Sequence, residues 1–211
     1  MRAQVLTAFG GADNFELSDV PTPVPGPGQV LVRTAAIGVN SLEWKIRRGG
    51  LEHAFPTPLP AILGKEVAGT VVAPGRGATG ISPGDRVVGF TDSGAYAEYA
   101  LARTGALAVL PDALSFTDAV TLPVAVETAE RGIRALGVRP GWTVVVNGAA
   151  GAVGSAVVQL LVLRGVMVIG TASEANHEHL TALGAPPSST GRASRIGSGP
   201  TPGTWSTRCT T

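Results

Sequence analysis

The chain has a single cysteine, Cys209, in 211 residues. One thiol excludes an intrachain disulfide framework, and it excludes a zinc site built on two to four thiolates. Net charge is nearly absent: 16 Lys and Arg stand against 15 Asp and Glu, a formal +1. So even a balance gives no support for nucleic acid or an anionic membrane as a partner. No apolar h-region follows Met1-Arg2, so no secretory leader is expected. The most apolar stretch, Val153 to Ile169, is broken by Gln159, Arg164 and Gly165, and it falls short of the ~20 residues a membrane span needs. The expected compartment is the cytoplasm.

Apolar content, by contrast, is ample. Hydrophobic residues make up 44% of the chain, which excludes disorder of the whole and allows one or two domains. The 29 glycines and 16 prolines follow no collagen period and so indicate many tight turns. The fold class expected is α/β.

Up to about residue 112, strand-like runs alternate with Gly/Pro turns: Val5–Phe9, Gln29–Val39, Val67–Ala73, Arg86–Phe90 and Tyr96–Leu101. Short strands at this spacing predict a small barrel or sandwich. One helical island interrupts them, with Ser41 as its cap and Gly49-Gly50 as its stop. Its Trp44 reads as a core residue, and Tyr96 and Tyr99 read as packing residues on a strand.

From Ser115 the period becomes helical. Ser115 caps a run that Pro123 interrupts, and Val126–Leu136 continues to Gly137. A strand follows over Thr143–Asn147, then a Gly-rich turn, a helix over Ala156–Leu163 and a strand over Val166–Ile169. Both strands are β-branched runs without alternation, the pattern of parallel strands buried on both faces. A further helix is predicted over Ala175–Leu183, ended by Gly184. Residues 186–211 contain no acid and no lysine, and their apolar residues are Ala193, Ile196, Trp205 and Cys209. Such a tail is expected to stay disordered. The domains expected are thus 1–114, 115–185 and the tail 186–211.

The sharpest local feature is Gly148-Ala149-Ala150-Gly151-Ala152-Val153-Gly154. A pyrophosphate needs backbone N–H groups at a tight turn and the positive end of a helix. Gly151 permits close approach to phosphates, and Gly154 permits close helix–strand packing. The backbone of Ala150, Gly151, Ala152, Val153 and Gly154 is therefore the predicted dinucleotide cradle. A merely structural turn is the alternative. Where an NAD site places a carboxylate, the next strand ends in Gly170-Thr171-Ala172-Ser173. Small hydroxyl residues leave room for a 2′-phosphate, so NADP(H) is the expected cofactor, with Ser173 on the phosphate. Downstream, His177 and His179 are the nearest candidate partners; as exposed helix residues they would have no such role.

Seven motifs in order carry a family resemblance: Gly38-Val39-Asn40, Trp44 to Gly49, Leu63 to Val71, Gly84-Asp85-Arg86-Val87, Gly94 to Tyr99, Thr128-Ala129, and the turn up to Gly154. Over residues 1–185 the chain resembles the medium-chain dehydrogenase/reductase superfamily, and within it the zinc-free quinone oxidoreductase branch. The resemblance implies a GroES-like N-terminal β-barrel domain followed by a Rossmann domain, here incomplete. The zinc-dependent members carry a Cys near Gly38–Ser41 and a His where this chain has Lys65, so no metal is expected. By the same resemblance Asn40 and Thr128 serve the nicotinamide end, Asn40 holding the carboxamide or the substrate oxygen. Lys45 stands where relatives often place a polar group facing the substrate, with a solvated helix lysine as the alternative. Lys65 and Glu66 are expected to pair with each other or with neighbours.

The implied activity is NADPH-dependent hydride transfer to a quinone, enone or similar electron-poor double bond in a small-molecule substrate. An enoyl-thioester reductase, a non-catalytic product and a binding-only dinucleotide sensor are the alternatives. Full-length relatives pair through the Rossmann sheet, an edge these motifs do not reach, so a homodimer is doubtful for this chain. Re-cut by one base with G/C-rich codons, Pro187 to Gly199 would read as a strand, a turn and the start of an amphipathic helix, so a shifted reading frame from about Pro186 is a further expectation.

Overall fold

The computed structural model describes residues 1–189 and 205–207. Two compact units are present, one from Met1 to Pro123 and a second beginning at Val124.

The first unit contains β1 (Arg2–Leu6), β2 (Phe15–Asp19), β3 (Gln29–Ile37), α1 (Ser41–Arg47), β4 (Ala61–Ile62), β5 (Glu66–Pro74), β6 (Arg86–Phe90), β7 (Tyr99–Arg103), β8 (Leu107–Val109) and α2 (Phe116–Ala119). A curled antiparallel sheet has the order β7-β3-β5-β6-β8, and a smaller one the order β2-β1-β4. Strand alternation sends Val30, Val32, Val67, Val71 and Val87 into one buried cluster. The opposite face presents Ala68 and Val88, which are buried against Leu110, Ala119 and Val120. Because α2 covers that face, it belongs to the first unit, which runs to Pro123. In β3, Thr34 pairs with Gly69 and Ala36 with Ala68, so Ala35 forms a bulge. Gly69 is required there, because a Cβ would strike the Arg33 carbonyl.

Several predicted strands shift. The first lies at Arg2–Leu6, not Val5–Phe9, because Ala3, Val5 and Leu6 are the buried positions. The strand predicted from Tyr96 begins at Tyr99, and only a single bridge, Ala3 with Ala97, forms before it. The short strands β2, β4 and β8 were not predicted.

The second unit contains α3 (Pro123–Leu136), β9 (Thr143–Asn147), α4 (Ala152–Leu163), β10 (Met167–Ala172), α5 (His177–Ala182), β11 (Pro187–Ser189) and β12 (Trp205–Thr207). Pro123 starts α3 rather than interrupting a helix, since proline lacks only an N–H that the first turn leaves unbonded anyway. All pairings in the sheet, ordered β11-β10-β9-β12, are parallel. Val144, Val146, Val158, Leu161, Val168 and Leu180 form its core.

The tail departs from the expected disorder at two places. Pro187–Ser189 pairs with β10, and Trp205–Thr207 pairs with β9. Both edges of a two-stranded core offer unpaired backbone groups, and a tail poor in apolar side chains can still satisfy them. The rest of 186–211, and most of the predicted frame shift, lies outside the described residues. Among the described residues no helix is long and apolar enough to cross a membrane.

Candidate functional site

In the first unit the polar centre forms at the N-terminus of α1. Asn40, not Ser41, is the N-cap, with extended backbone angles of φ −112° and ψ 167°. Three residues on, Glu43 folds back. Its Oε2 accepts the Asn40 backbone N–H at 2.8 Å, and its Oε1 accepts the Lys65 backbone N–H at 3.2 Å. Asn40 Nδ2 donates to Glu66 Oε2 at 2.6 Å. Both carboxylates are buried, Glu43 at 4% exposure and Glu66 at 2%. Gly38 fits against Glu66, where any Cβ would collide with the carboxylate. The Thr91 hydroxyl donates to the Gly64 carbonyl and its N–H to the Lys65 carbonyl, which fixes the chain beside Glu66.

Of the pair Lys65–Glu66, Glu66 bonds a neighbour, the Asn40 amide, and Lys65 is held by its main chain and is exposed. Neither carboxylate's place here was recognised from sequence as an organiser of the site. The Asn-x-x-Glu spacing of a capping box is the signal that finds Glu43. Trp44, predicted as core, is 43% exposed. Its ring is flanked by the Lys45 ammonium at 5.8 Å and the Arg48 guanidinium at 5.0 Å. Tyr96 lies ahead of β7 and packs on Phe15. Burial, with the nearby Glu43 charge second, pushes its phenol up from 10.0 to about 12.

Two hollows share Glu43 as a wall. One of about 520 Å³ is lined by Glu43, Ile46, Phe55, Leu63, Lys65 and Asp92, among others. The other, about 560 Å³, is lined by Phe15, Thr34, Glu43, Trp44, Arg47 and Tyr96, among others.

In the second unit the Gly-rich turn joins β9 to α4. Gly148 takes φ +68°. Buried Thr171 on β10 stitches the turn: its Oγ1 donates to Asn147 Oδ1 at 2.6 Å and accepts from Gly148 N–H at 3.2 Å, and its carbonyl accepts from Ala149 N–H at 3.0 Å. The helix predicted from Ala156 begins four residues earlier, at Ala152, with Gly151 as an N-cap that lacks a side-chain bond. Ala152, Val153 and Gly154 are thus its first turn, where N–H groups have no intrahelical acceptor. A Cβ on Gly154 would overlap the Gly148 carbonyl and lie 2.8 Å from Ala149 Cα, whereas one on Gly151 would meet only the Gly148 oxygen at 3.4 Å. Gly154 is a packing glycine, and Gly151 leaves an open approach. Ala150 is half-buried behind them.

Ser173 is exposed just beyond β10, and its Oγ accepts from Asn176 Nδ2 at 2.9 Å. Glu174 opens a 3-10 turn that precedes α5. Of the two histidines expected at the surface, His179 is exposed and its Nε2 lies 3.1 Å from Ser155 Oγ. His177 departs from that expectation: its Nε2 is buried without a hydrogen-bond partner, because α5 turns this side inward. Thr128, on α3, lines a cavity of about 70 Å³ with Asn147 and Val153. Asn40 and Lys45 thus both lie at α1, Thr128 shares a cavity with Asn147 and Val153, and Ser173 stands beyond β10 in the same unit as Thr128. Among the described residues no group of three or more His, Cys, Asp or Glu is disposed to hold a metal.

A curled antiparallel unit with a buried acid–amide cluster, followed by a parallel sheet with a Gly-rich βα turn, defines a GroES-like plus Rossmann-type architecture. Residues 26–112 match the alcohol dehydrogenase GroES-like domain. The chain is 41% identical over 184 residues to the rat synaptic vesicle membrane protein VAT-1 homolog, covering 85% of this chain and 45% of that one. It is 39% identical over 175 residues to human quinone oxidoreductase, covering 82% and 53%. It is 36% identical over 197 residues to 2-methylene-furan-3-one reductase of Solanum lycopersicum, covering 88% and 50%.

Among solved structures, an alcohol dehydrogenase superfamily protein from Novosphingobium aromaticivorans superposes with a TM-score of 0.86 at 39% identity, covering 91% of this chain and 59% of that one. A mycobacterial protein complexed with NADPH superposes with a TM-score of 0.80 at 36% identity, covering 90% and 58%. Residues 26–112 thus carry a GroES-like domain, and the relatives that match most of the chain are proteins of the medium-chain dehydrogenase/reductase superfamily. It spans about half the length of the curated relatives it matches.

Proposed function

We propose that this chain carries the site of a zinc-free, NADPH-dependent reductase of quinones, enones or related electron-poor double bonds. The observation that carries this reading is the turn from Gly148 to Gly154. It presents the uncapped first-turn N–H groups of α4 beside the open Cα of Gly151, and that is a cradle for a pyrophosphate. The mycobacterial relative solved with NADPH and the quinone and furanone reductases among the relatives support the same reading.

In this reading the backbone at Ala150, Gly151, Ala152, Val153 and Gly154 binds the pyrophosphate, and Ser173 takes the 2′-phosphate with no carboxylate to oppose it. Nicotinamide, when bound, supplies the hydride. The Thr128 hydroxyl orients the nicotinamide end. Because Glu66 fixes Asn40 Nδ2, the amide is held in one orientation, ready for the carboxamide or the substrate oxygen. Lys45 is the polar group assigned to the substrate. With Lys65 in place of a histidine ligand and Cys209 the one thiol, catalysis rests on proximity and hydrogen bonding rather than on a Lewis acid.

Titrating NADPH by fluorescence and following its oxidation with a panel of quinones and enones tests this function. Binding with turnover supports it. Absence of any NADPH binding overturns it. Binding without turnover would favour a second reading, a non-catalytic relative.

A further inference from the structure

The 520 Å³ hollow beside α1 is mixed in character, with Ile46, Phe55, Pro56, Pro58, Ile62 and Leu63 forming its apolar part. Three charged residues also line it: Glu43, Asp92 and Lys65. The two acids are already engaged. Glu43 spends both oxygens on backbone N–H groups, of Asn40 and Lys65. Asp92 Oδ2 accepts from Gln29 Nε2 at 2.7 Å and pairs with Arg103 Nε at 3.2 Å. Lys65 is the one cation in the lining, and none of the ion pairs among the described residues includes it. Its backbone is clamped on both sides, by Glu43 at its N–H and by Thr91 at its carbonyl. The ammonium thus springs from a fixed stretch of main chain at the edge of a partly apolar hollow whose two carboxylates already have other partners.

We propose that Lys65 is a specificity-determining residue, and that this hollow takes substrates carrying a carboxylate beside an apolar, electron-poor unsaturated body. The carboxylate meets Lys65 as a charge-assisted hydrogen bond, and the Phe55–Pro58 side covers the apolar part. This deepens the reductase reading and rests on it for the word substrate, but binding in the hollow can be measured without NADPH.

The experiment uses trans-3-benzoylacrylate and its methyl ester as matched probes on the full chain. Calorimetric binding without nucleotide should favour the acid over the ester by at least about tenfold. Lys65→Gln should erase that discrimination, and Lys65→Arg should keep most of it, with thermal unfolding checking that both variants fold. NADPH oxidation is then followed with the same pair. Equal affinity for acid and ester, or a preference that survives Lys65→Gln, overturns the inference. Lys65-dependent binding of the acid without NADPH oxidation would sustain the anion site and count against the reductase reading alone.

Discussion

Asn40 donates its side-chain amide to the buried carboxylate of Glu66 at 2.6 Å, across 26 residues of sequence. A carboxylate in this state only accepts, so the contact dictates which end of the amide faces Glu66. The loop before α1 and the first residue of β5 are thereby locked together, with Gly38 as the spacer that lets them approach.

The first prediction follows from that lock. Glu66→Gln keeps an acceptor for Asn40 and should cost about 1 kcal/mol, whereas Glu66→Ala takes that acceptor from the half-buried Asn40 amide and should cost about 2 kcal/mol. Gly38→Ala, forced into Glu66, should cost about 2 kcal/mol by overpacking. Urea unfolding measures all three. Equal stability of the Gln and Ala variants would mean that the hydrogen bond contributes nothing.

Tyr96 supplies a pH signature. Its folded-state phenol titrates near 12 against an ordinary 10.0, so the native chain holds the proton more tightly than the unfolded one. The contribution is present below pH 10 and is lost as pH rises from 10 towards 12. Since Tyr96 is only half-buried, solvent screening reduces the effect to about 1 kcal/mol. Comparing wild type with Tyr96→Phe at pH 9 and pH 11.5 isolates it. The chain has two tyrosines, Tyr96 and Tyr99, and ultraviolet titration should show one phenol ionising late.

What the sequence made legible follows from how local each cause is. The βα turn and its two strands stand out because β-branched runs and glycine spacing are local signals. The strands β2, β4 and β8 do not, being two to five residues long and having no buried residue. Trp44 misleads because α1 is a single short helix that buries only Glu43 and Ile46; the indole is left to Lys45 and Arg48. Glu43 is the harder case. A carboxylate is buried only where distant donors meet it, and Lys65 lies 22 positions away. Thr171 likewise gains its role from a turn 23 residues earlier.

Metal content is the third prediction. Lys65 offers no imidazole at the position where zinc-dependent relatives carry one, and His53, His177 and His179 are dispersed over both units. Protein purified without a tag should hold well under one zinc per chain by elemental analysis. Stoichiometric zinc that survives mild chelation would contradict the zinc-free assignment.

Nucleotide choice is the fourth. Ser173 is exposed at the tip of β10, and its neighbour Asn176 is its one side-chain partner among the hydrogen bonds described. Ser173→Asp should therefore leave the fold intact while setting a carboxylate against a 2′-phosphate. Preference should move from NADPH to NADH, by about tenfold or more, when dissociation constants for both nucleotides are compared. A wild-type chain that already prefers NADH would contradict the role given to Ser173.

The last prediction separates two glycines three residues apart. At Gly151 the backbone has φ −75°, open to any residue, and a Cβ would meet only the Gly148 oxygen at 3.4 Å. Gly151→Val should therefore fold with a thermal midpoint within a few degrees of wild type. Its side chain would nevertheless stand where a pyrophosphate must approach the first turn of α4, so NADPH affinity should fall by at least about tenfold. At Gly154 the order reverses. A Cβ there overlaps the Gly148 carbonyl and the Ala149 backbone, and backbone cannot move aside as a flexible side chain can. Gly154→Val should lose about 3 kcal/mol or fail to fold, whatever ligand is present. Calorimetry on both variants, with and without NADPH, gives the two readouts together. If Gly151→Val bound NADPH as well as wild type, the turn would be a structural corner and not a nucleotide site.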